Sequence, residues 1–266
     1  MGWFNLGKRI LEKQAAVREQ EAQAKAISRL ATQDEGLPLG LSIGSMFGIP
    51  RADFAVLQGG LITTPPAAEF PVISISRVKL EDNPDLPIYR FYTDVGRDRL
   101  GQGEAFLQVF GAAGAIEEIG YYQFLYRLIP QTEEEQRLYM GEGYGLGETD
   151  YYLSADQLAA LGIPSARIEE ALAGEDCLHY TRDVPGGDYI SPFCATETRL
   201  DDQAGVSGLR QEIRFMPYVR TLPDGNKEHL LISFEILESL DGARKQQIHV
   251  DFMIGLTIDP LRLKTY

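Results

Sequence analysis

Cysteine is scarce in this chain: Cys177 and Cys194 are the two thiols in 266 residues. Two thiols are too few to staple a chain of this length, so the fold cannot rest on a disulfide framework, and a reducing compartment fits. Histidine is nearly as rare, with three residues, His179, His229 and His249. Neither C-x-x-C nor H-E-x-x-H occurs, which removes the common zinc signatures. Long apolar runs are also missing. The longest nearly apolar stretch, 106–116, falls well short of the ~20 residues a membrane span needs. At the start, the charges follow a short apolar tip, whereas a signal peptide places them ahead of a long one. Leu6 stands where a myristoylation signal needs Ser or Thr. No cofactor-binding motif is present, so no cofactor is expected, and the expected location is cytoplasmic.

Charge is abundant and unevenly placed. Residues 1–30 carry six basic and three acidic side chains, so this leader is +3, and with −14 overall the remainder is −17. Such a body repels phosphate backbones, and nucleic acid is not expected as a partner. With 44% apolar and 24% charged residues, the chain has the composition of a globular protein with a sizeable core.

Residues 3–33 predict one amphipathic helix, rich in Ala, Gln, Glu, Lys and Arg. Trp3, Leu6, Ile10 and Val17 share a face, widened by Phe4 and Leu11. Gly36 and Pro38 end it. Its apolar face has three uses open to it: docking on its own body, on a partner, or weakly on anionic lipid. From 54 to 130 the pattern is that of strands: 54–57 and 61–63 flank a Gln58-Gly59-Gly60 turn, and 70–78, 87–95, 104–110 and 119–129 follow. Capping-box pairs Thr132/Glu135 and Ser154/Gln157 mark short helices in 132–174. Segments 210–221, 227–238 and 244–257, joined by turns at Asp224-Gly225 and Asp241-Gly242, predict a three-strand antiparallel meander with one face in the core and one in water.

The expected fold class is therefore α+β: mainly antiparallel β, a C-terminal three-strand meander, short central helices and an N-terminal amphipathic helix. Residues 1–35 form the helix and 36–266 the acidic body, with a subdivision near 131–175 as an option.

Chemistry-bearing motifs are weak. Gly40-Leu41-Ser42-Ile43-Gly44 matches the G-x-S-x-G elbow but lacks the entering strand and leaving helix that expose such a serine. The glycine-dense 141–147 loop has no Lys-Ser/Thr after it, and Glu142, Glu148 and Asp150 would repel an anion. An aromatic-packed turn is the better reading, with Tyr144, Glu148 and Tyr151 as contact candidates. No metal site is expected; Cys177, His179 and Cys194 are the weak candidates, one ligand short of a zinc set. On the last strand His249 and Asp251 share a face, and a two-residue turn at Asp241-Gly242 sets His249 opposite Phe234, with Glu235 on the diagonal. These three are the weak catalytic candidates, as an acid–base cluster or as a solvated face.

Three stretches carry a family resemblance: 143–152 (Gly-Tyr-Gly-Leu-Gly-Glu-Thr-Asp-Tyr-Tyr), 180–183 running on to 187–193, and the meander at 211–257. They resemble the YjfK-like proteins, a bacterial family of unknown function. The resemblance covers roughly 40–260 and supplies no activity and no catalytic residues. It implies a gene setting with a phage-shock-protein-A-like coiled coil, small membrane proteins and an ATP-grasp ligase. That setting implies an envelope-stress accessory factor, peripheral to the inner membrane, with the coiled coil as a protein partner.

Taken together, the sequence predicts a non-enzymatic interaction protein that docks through Trp3, Phe4, Ile10 and Leu11. The alternative is a hydrolase or metal-assisted enzyme using the polar face of His249, Asp251 and Glu235.

Overall fold

Eight antiparallel strands close into a barrel. The computed structural model describes residues 37–50, 54, 60–64, 69–94, 104–112, 115–202, 208–239 and 247–266. The barrel strands are β1 (Ser74–Leu80), β2 (Ile88–Asp94), β3 (Glu104–Ala112), β4 (Ala115–Leu128), β5 (Phe193–Leu200), β6 (Gly208–Thr221), β7 (Lys227–Ser239) and β8 (Gln247–Ile258). β1–β4 form one meander and β5–β8 a second. Antiparallel pairing of β1 with β5 and of β4 with β8 joins them edge to edge. Closure removes every free edge in the ring, the most complete remedy a sheet has against stray pairing.

This corrects the α+β expectation. The described chain is mostly β, its helices are few and short, and its organising unit is the closed barrel. Two expectations failed locally. No strand was expected at 193–200, yet β5 is the strand that closes the ring. Leu61–Thr63 is not a strand; the Ile62 and Thr63 amides donate to the buried Glu228 carboxylate at 2.9 and 2.7 Å. The helix expected over 3–33 lies outside the described residues.

Alternation explains how the barrel acquires two environments. Val78, Leu80, Ile88, Phe110, Ile213, Phe215 and Leu231 point inward and fill one part of the lumen. Outward residues are covered twice. Residues 129–192 carry helices Glu133–Met140, Ala155–Ala160 and Ser165–Leu172 and the strand pair Asp150–Ser154 with Cys177–Arg182. Leu153, Leu158, Ile168 and Leu178 from this insertion pack with Met216, Leu230, Ile232, Phe252 and Ile254. On the other side, Leu41, Phe47, Phe70 and Val72 pack with Phe91, Leu107, Ile119, Tyr121 and Leu256. A three-strand sheet of Met46–Gly48, Phe70–Pro71 and Lys264–Thr265 ties that cover together.

The short helices form where their caps are. Ser154 and Gln157 make the reciprocal capping box the sequence signalled. Thr132 accepts from the Glu135 amide, while the Glu135 carboxylate bonds the Gln131 amide, one residue earlier than a full box requires. The turn between β6 and β7 uses Gly225 at φ +84°, where glycine carries no steric penalty.

Closure leaves no room where β8 crosses β4. A Cβ on Gly255 would sit 2.2 Å from the Tyr121 carbonyl oxygen. Gly255→Ala is expected to lower stability by about 1–3 kcal/mol through this overpacking, read as a fall in the urea midpoint at unchanged slope.

Candidate functional site

The lumen is apolar along part of its length and charged along the rest. Inward positions on five strands deliver one network: Ser76 from β1, Arg90 and Tyr92 from β2, Gln108 from β3, Glu197 from β5 and Gln211 from β6. Glu197 and Arg90 show side-chain exposures of 0% and 1%, and Arg90 Nη1 donates to Glu197 Oε2 at 2.6 Å. The Tyr92 hydroxyl donates to Glu197 Oε1 at 2.6 Å, and the Ser76 hydroxyl donates to the same oxygen. Gln211 Nε2 donates to Oε2 at 3.0 Å, and Arg90 Nε donates to Gln108 Oε1 at 2.9 Å. Burial alone would raise the Glu197 pKa; the Arg90 charge and the bonds from Ser76, Tyr92 and Gln211 outweigh it and hold the carboxyl below its usual range. Burial likewise pulls Arg90 down, and Glu197 outweighs it, so the guanidinium stays charged. One donor on each of Arg90 and Gln108, Nη2 and Nε2, is buried with no partner.

A second cluster stands on β7 and β8. Glu235, His249 and Asp251 all face inward and are buried, at 5%, 4% and 6% exposure. The face expected to meet water is thus the lining of the lumen. The register also differs from the expected one. His249 lies directly opposite Glu235, and Asp251 opposite Ser233, because Leu237 pairs with Gln247 across a connection longer than two residues. A one-residue change of register moves each side chain to the other face, so this detail decides which groups meet. His249 Nε2 lies 3.2 Å from Glu235 Oε2 and 3.4 Å from Asp251 Oδ2. Arg127, from β4, grips both Asp251 oxygens, Nε to Oδ1 at 2.7 Å and Nη2 to Oδ2 at 2.6 Å. Burial lowers the His249 pKa, but the bonds and charges of Asp251 and Glu235 outweigh it and hold the imidazole at about 9. Burial and the Asp251 charge raise Glu235. Asp251, which burial would raise, is held low by Arg127 and His249.

Between the two clusters lies a cavity of about 260 Å³, lined by Arg90, Arg127, Arg199, Glu104, Asp201, Glu235 and Asp251 over Phe106, Phe124 and Met253. Each arginine lies over a ring: Arg90 over Phe106 at 5.1 Å, Arg127 over Phe124 at 5.5 Å and Arg199 over Tyr92 at 4.0 Å. Arg199 also pairs with Glu104, and with Asp201 at 3.3 Å. Arg127, 42% exposed, brings the cavity to the surface. The flanking strands lead into 95–103, 203–207 and 240–246, which lie outside the described residues. The space equals roughly eight waters. Barrel mouths are a preferred place for ligand sites.

The other candidates are not drawn into this site. Cys177 and His179 line a second depression of about 390 Å³. His179 Nε2 is 2.5 Å from Asp150 Oδ1, and its ring stacks on Tyr152 at 4.9 Å. Cys194 sits on β5 with its Sγ directed to the Pro192 carbonyl at 3.9 Å. Among the described residues, the group whose ligating atoms converge is Glu235, His249 and Asp251. In the glycine-dense loop, Tyr144 is 40% exposed, Glu148 accepts from the Gly145 amide at 3.0 Å, and Tyr151 packs 5.5 Å from Tyr218. Gly147 is needed there, since a Cβ would meet the Ile190 carbonyl oxygen at 2.1 Å. Ser42 follows the 3-10 turn Pro38–Gly40 and precedes the strand Met46–Gly48, with its Oγ 3.0 Å from that of Ser45. Trp3, Phe4, Ile10 and Leu11 lie outside the described residues.

Sequence reasoning missed Arg90, Arg127, Glu197 and Arg199. The signal available was Arg90 between Tyr89 and Phe91, a charge in the middle of an otherwise aromatic strand.

The chain matches the family described as "Protein of unknown function (DUF2491)" over residues 22–264, and it belongs to that family. No curated protein and no solved structure matches it. The expectation of an unknown-function family stands at that level, and the match says nothing about the YjfK-like name. No helix among the described residues is long and apolar enough to cross a membrane.

Glu197→Ala strands the buried Arg90 guanidinium and is expected to cost about 3–5 kcal/mol in chemical denaturation. The pH dependence has a fixed sign. A carboxyl held below its unfolded value near 4.5 contributes stability that is full above that pH and lost as pH falls through the depressed value. Glu197→Gln is therefore expected to flatten the acid limb of the stability curve below pH ~4.5.

Proposed function

We propose that this member of the DUF2491 family is a non-enzymatic binding protein whose barrel mouth receives a small dipolar ligand, one of the size and charge pattern of an amino acid. The observation that carries this reading is the mouth cavity, which offers charges of both signs side by side on a stacked aromatic floor. A ligand carboxylate would meet Arg127 and Arg199, the partly exposed guanidinium groups of the lining. An ammonium group would find Glu104 and Asp201.

A titration of the full chain with glutamate, lysine, succinate and putrescine tests this by thermal shift. The two zwitterions are expected to raise the melting temperature by several degrees at saturating concentration, and the dianion and dication are not. Leu237→Trp, which fills the cavity, is expected to abolish the response. No response to either zwitterion, or a response unchanged in Leu237→Trp, would contradict the reading.

The charge split favours a second, compatible role. A +3 leader joined to a −17 remainder suits attachment of the barrel, through Trp3, Phe4, Ile10 and Leu11, to a coiled-coil partner or an anionic surface at the inner membrane. Removing 1–33 is expected to release the protein from sedimenting membranes while leaving its melting temperature unchanged. Loss of folding on truncation would instead make the leader part of the core.

A further inference from the structure

We propose that Glu235, His249 and Asp251 bind one divalent transition-metal ion of the zinc class, with an open coordination position facing the mouth cavity.

For metal–ligand bonds of about 2.0–2.2 Å at ordinary angles, adjacent ligand atoms stand roughly 2.8–3.6 Å apart. His249 Nε2 is 3.2 Å from a Glu235 oxygen and 3.4 Å from an Asp251 oxygen, and all three ligating atoms lie within 4.8 Å of one another. One ring nitrogen faces two carboxylates at once, yet an N–H can align well with only one. Both distances also exceed the roughly 2.7–2.9 Å of charge-assisted hydrogen bonds. Other ion pairs in the same lumen are short: Arg127 reaches Asp251 at 2.6 and 2.7 Å, and Arg90 reaches Glu197 at 2.6 Å. The His249 contacts are those of ligands arranged around a common centre.

Two further observations point the same way. Ser233 shares this inward face opposite Asp251, is fully buried, and its Oγ has no hydrogen-bond partner. A buried hydroxyl left unpartnered on the ligands' own face is a group that a metal-bound water would satisfy. Arg127 holds both oxygens of Asp251, the outer-shell support that fixes a ligating carboxylate in place. Glu235 and Asp251 both line the cavity, so the uncovered side of the ion faces it. The ion displaces the His249 proton to solvent; with the imidazole then neutral, the charges of Glu235, Asp251, Arg127 and a divalent ion sum to +1, which an anionic fourth ligand from the cavity balances. One imidazole with two carboxylates selects zinc, iron(II), cobalt(II) or manganese over copper(I), which wants sulfur.

This inference does not depend on the dipolar ligand, and metal occupancy is read with none present. EDTA-treated full-length protein is titrated with cobalt(II). The expected result is one ion per chain, with visible d–d bands, no thiolate charge-transfer band, and displacement by zinc. Glu235→Gln keeps the side chain's shape and is expected to weaken binding more than roughly tenfold, as is Asp251→Asn; Cys177→Ser is expected to change nothing. Absence of binding at millimolar cobalt, a thiolate band, or unchanged affinity in Glu235→Gln would overturn the proposal. Circular dichroism confirms that each variant is folded, and Glu235→Gln alone decides if another variant is not.

Discussion

A glutamate and an arginine at 0% and 1% exposure impose a condition that the rest of the molecule meets. An ion taken out of water costs several kcal/mol unless its partner and its remaining hydrogen bonds travel with it. The partners of this pair arrive from β1, β2, β3, β5 and β6, which belong to two different meanders. They meet only if β1 pairs with β5. A buried ion pair gains little over well-packed apolar groups. What this one adds is a penalty on any arrangement that leaves the two halves apart. The barrel then fixes the spacing of every inward side chain, including the cluster on β7 and β8.

Much of the β structure was legible because alternation was clean. Ile88, Arg90 and Tyr92 against Tyr89 and Phe91 mark β2, and Ile248, Val250, Phe252 and Ile254 mark β8. Local chemistry located Ser154 as a helix start and Asp224-Gly225 as a turn. Closure was not legible, and the reason is physical. In a one-sided sheet the polar face meets water, so His249, Asp251 and Glu235 read as a solvated surface. Here the polar face is a lumen, and its charges neutralise one another at ion-pair distances. Pattern alone does not separate water outside from ion pairs inside. Phe193–Leu200 carries no clear strand signal for the same reason, since its inward Glu197 and Arg199 resemble exposed residues. The register of β7 against β8 depended on the true length of a connection that a local Asp-Gly signal did not reveal.

Site residues divide along the same line. His249, Asp251 and Glu235 were visible as a set because they lie on adjacent strands. Arg127, Arg90 and Arg199 come from β4, β2 and β5, and only the ring of strands brings them to one mouth. Each is stacked on an aromatic ring and tethered to a carboxylate, the preorganisation that the proposed ligand site requires. The outer covers do different work. They bury the barrel's apolar exterior, which has no other partner in the described chain, and leave the mouth cavity to the strand ends.

Native-state hydrogen exchange across the seam between β1 and β5 tests closure most directly. The amides of Val78, Glu197 and their ladder neighbours are expected to exchange only on global unfolding, like those at the centre of β7, and Glu197→Ala to lower both sets together. Fast exchange along β5 while β7 stays protected would show an open sheet with a free edge, and the buried ion pair would lose its place as the organising constraint.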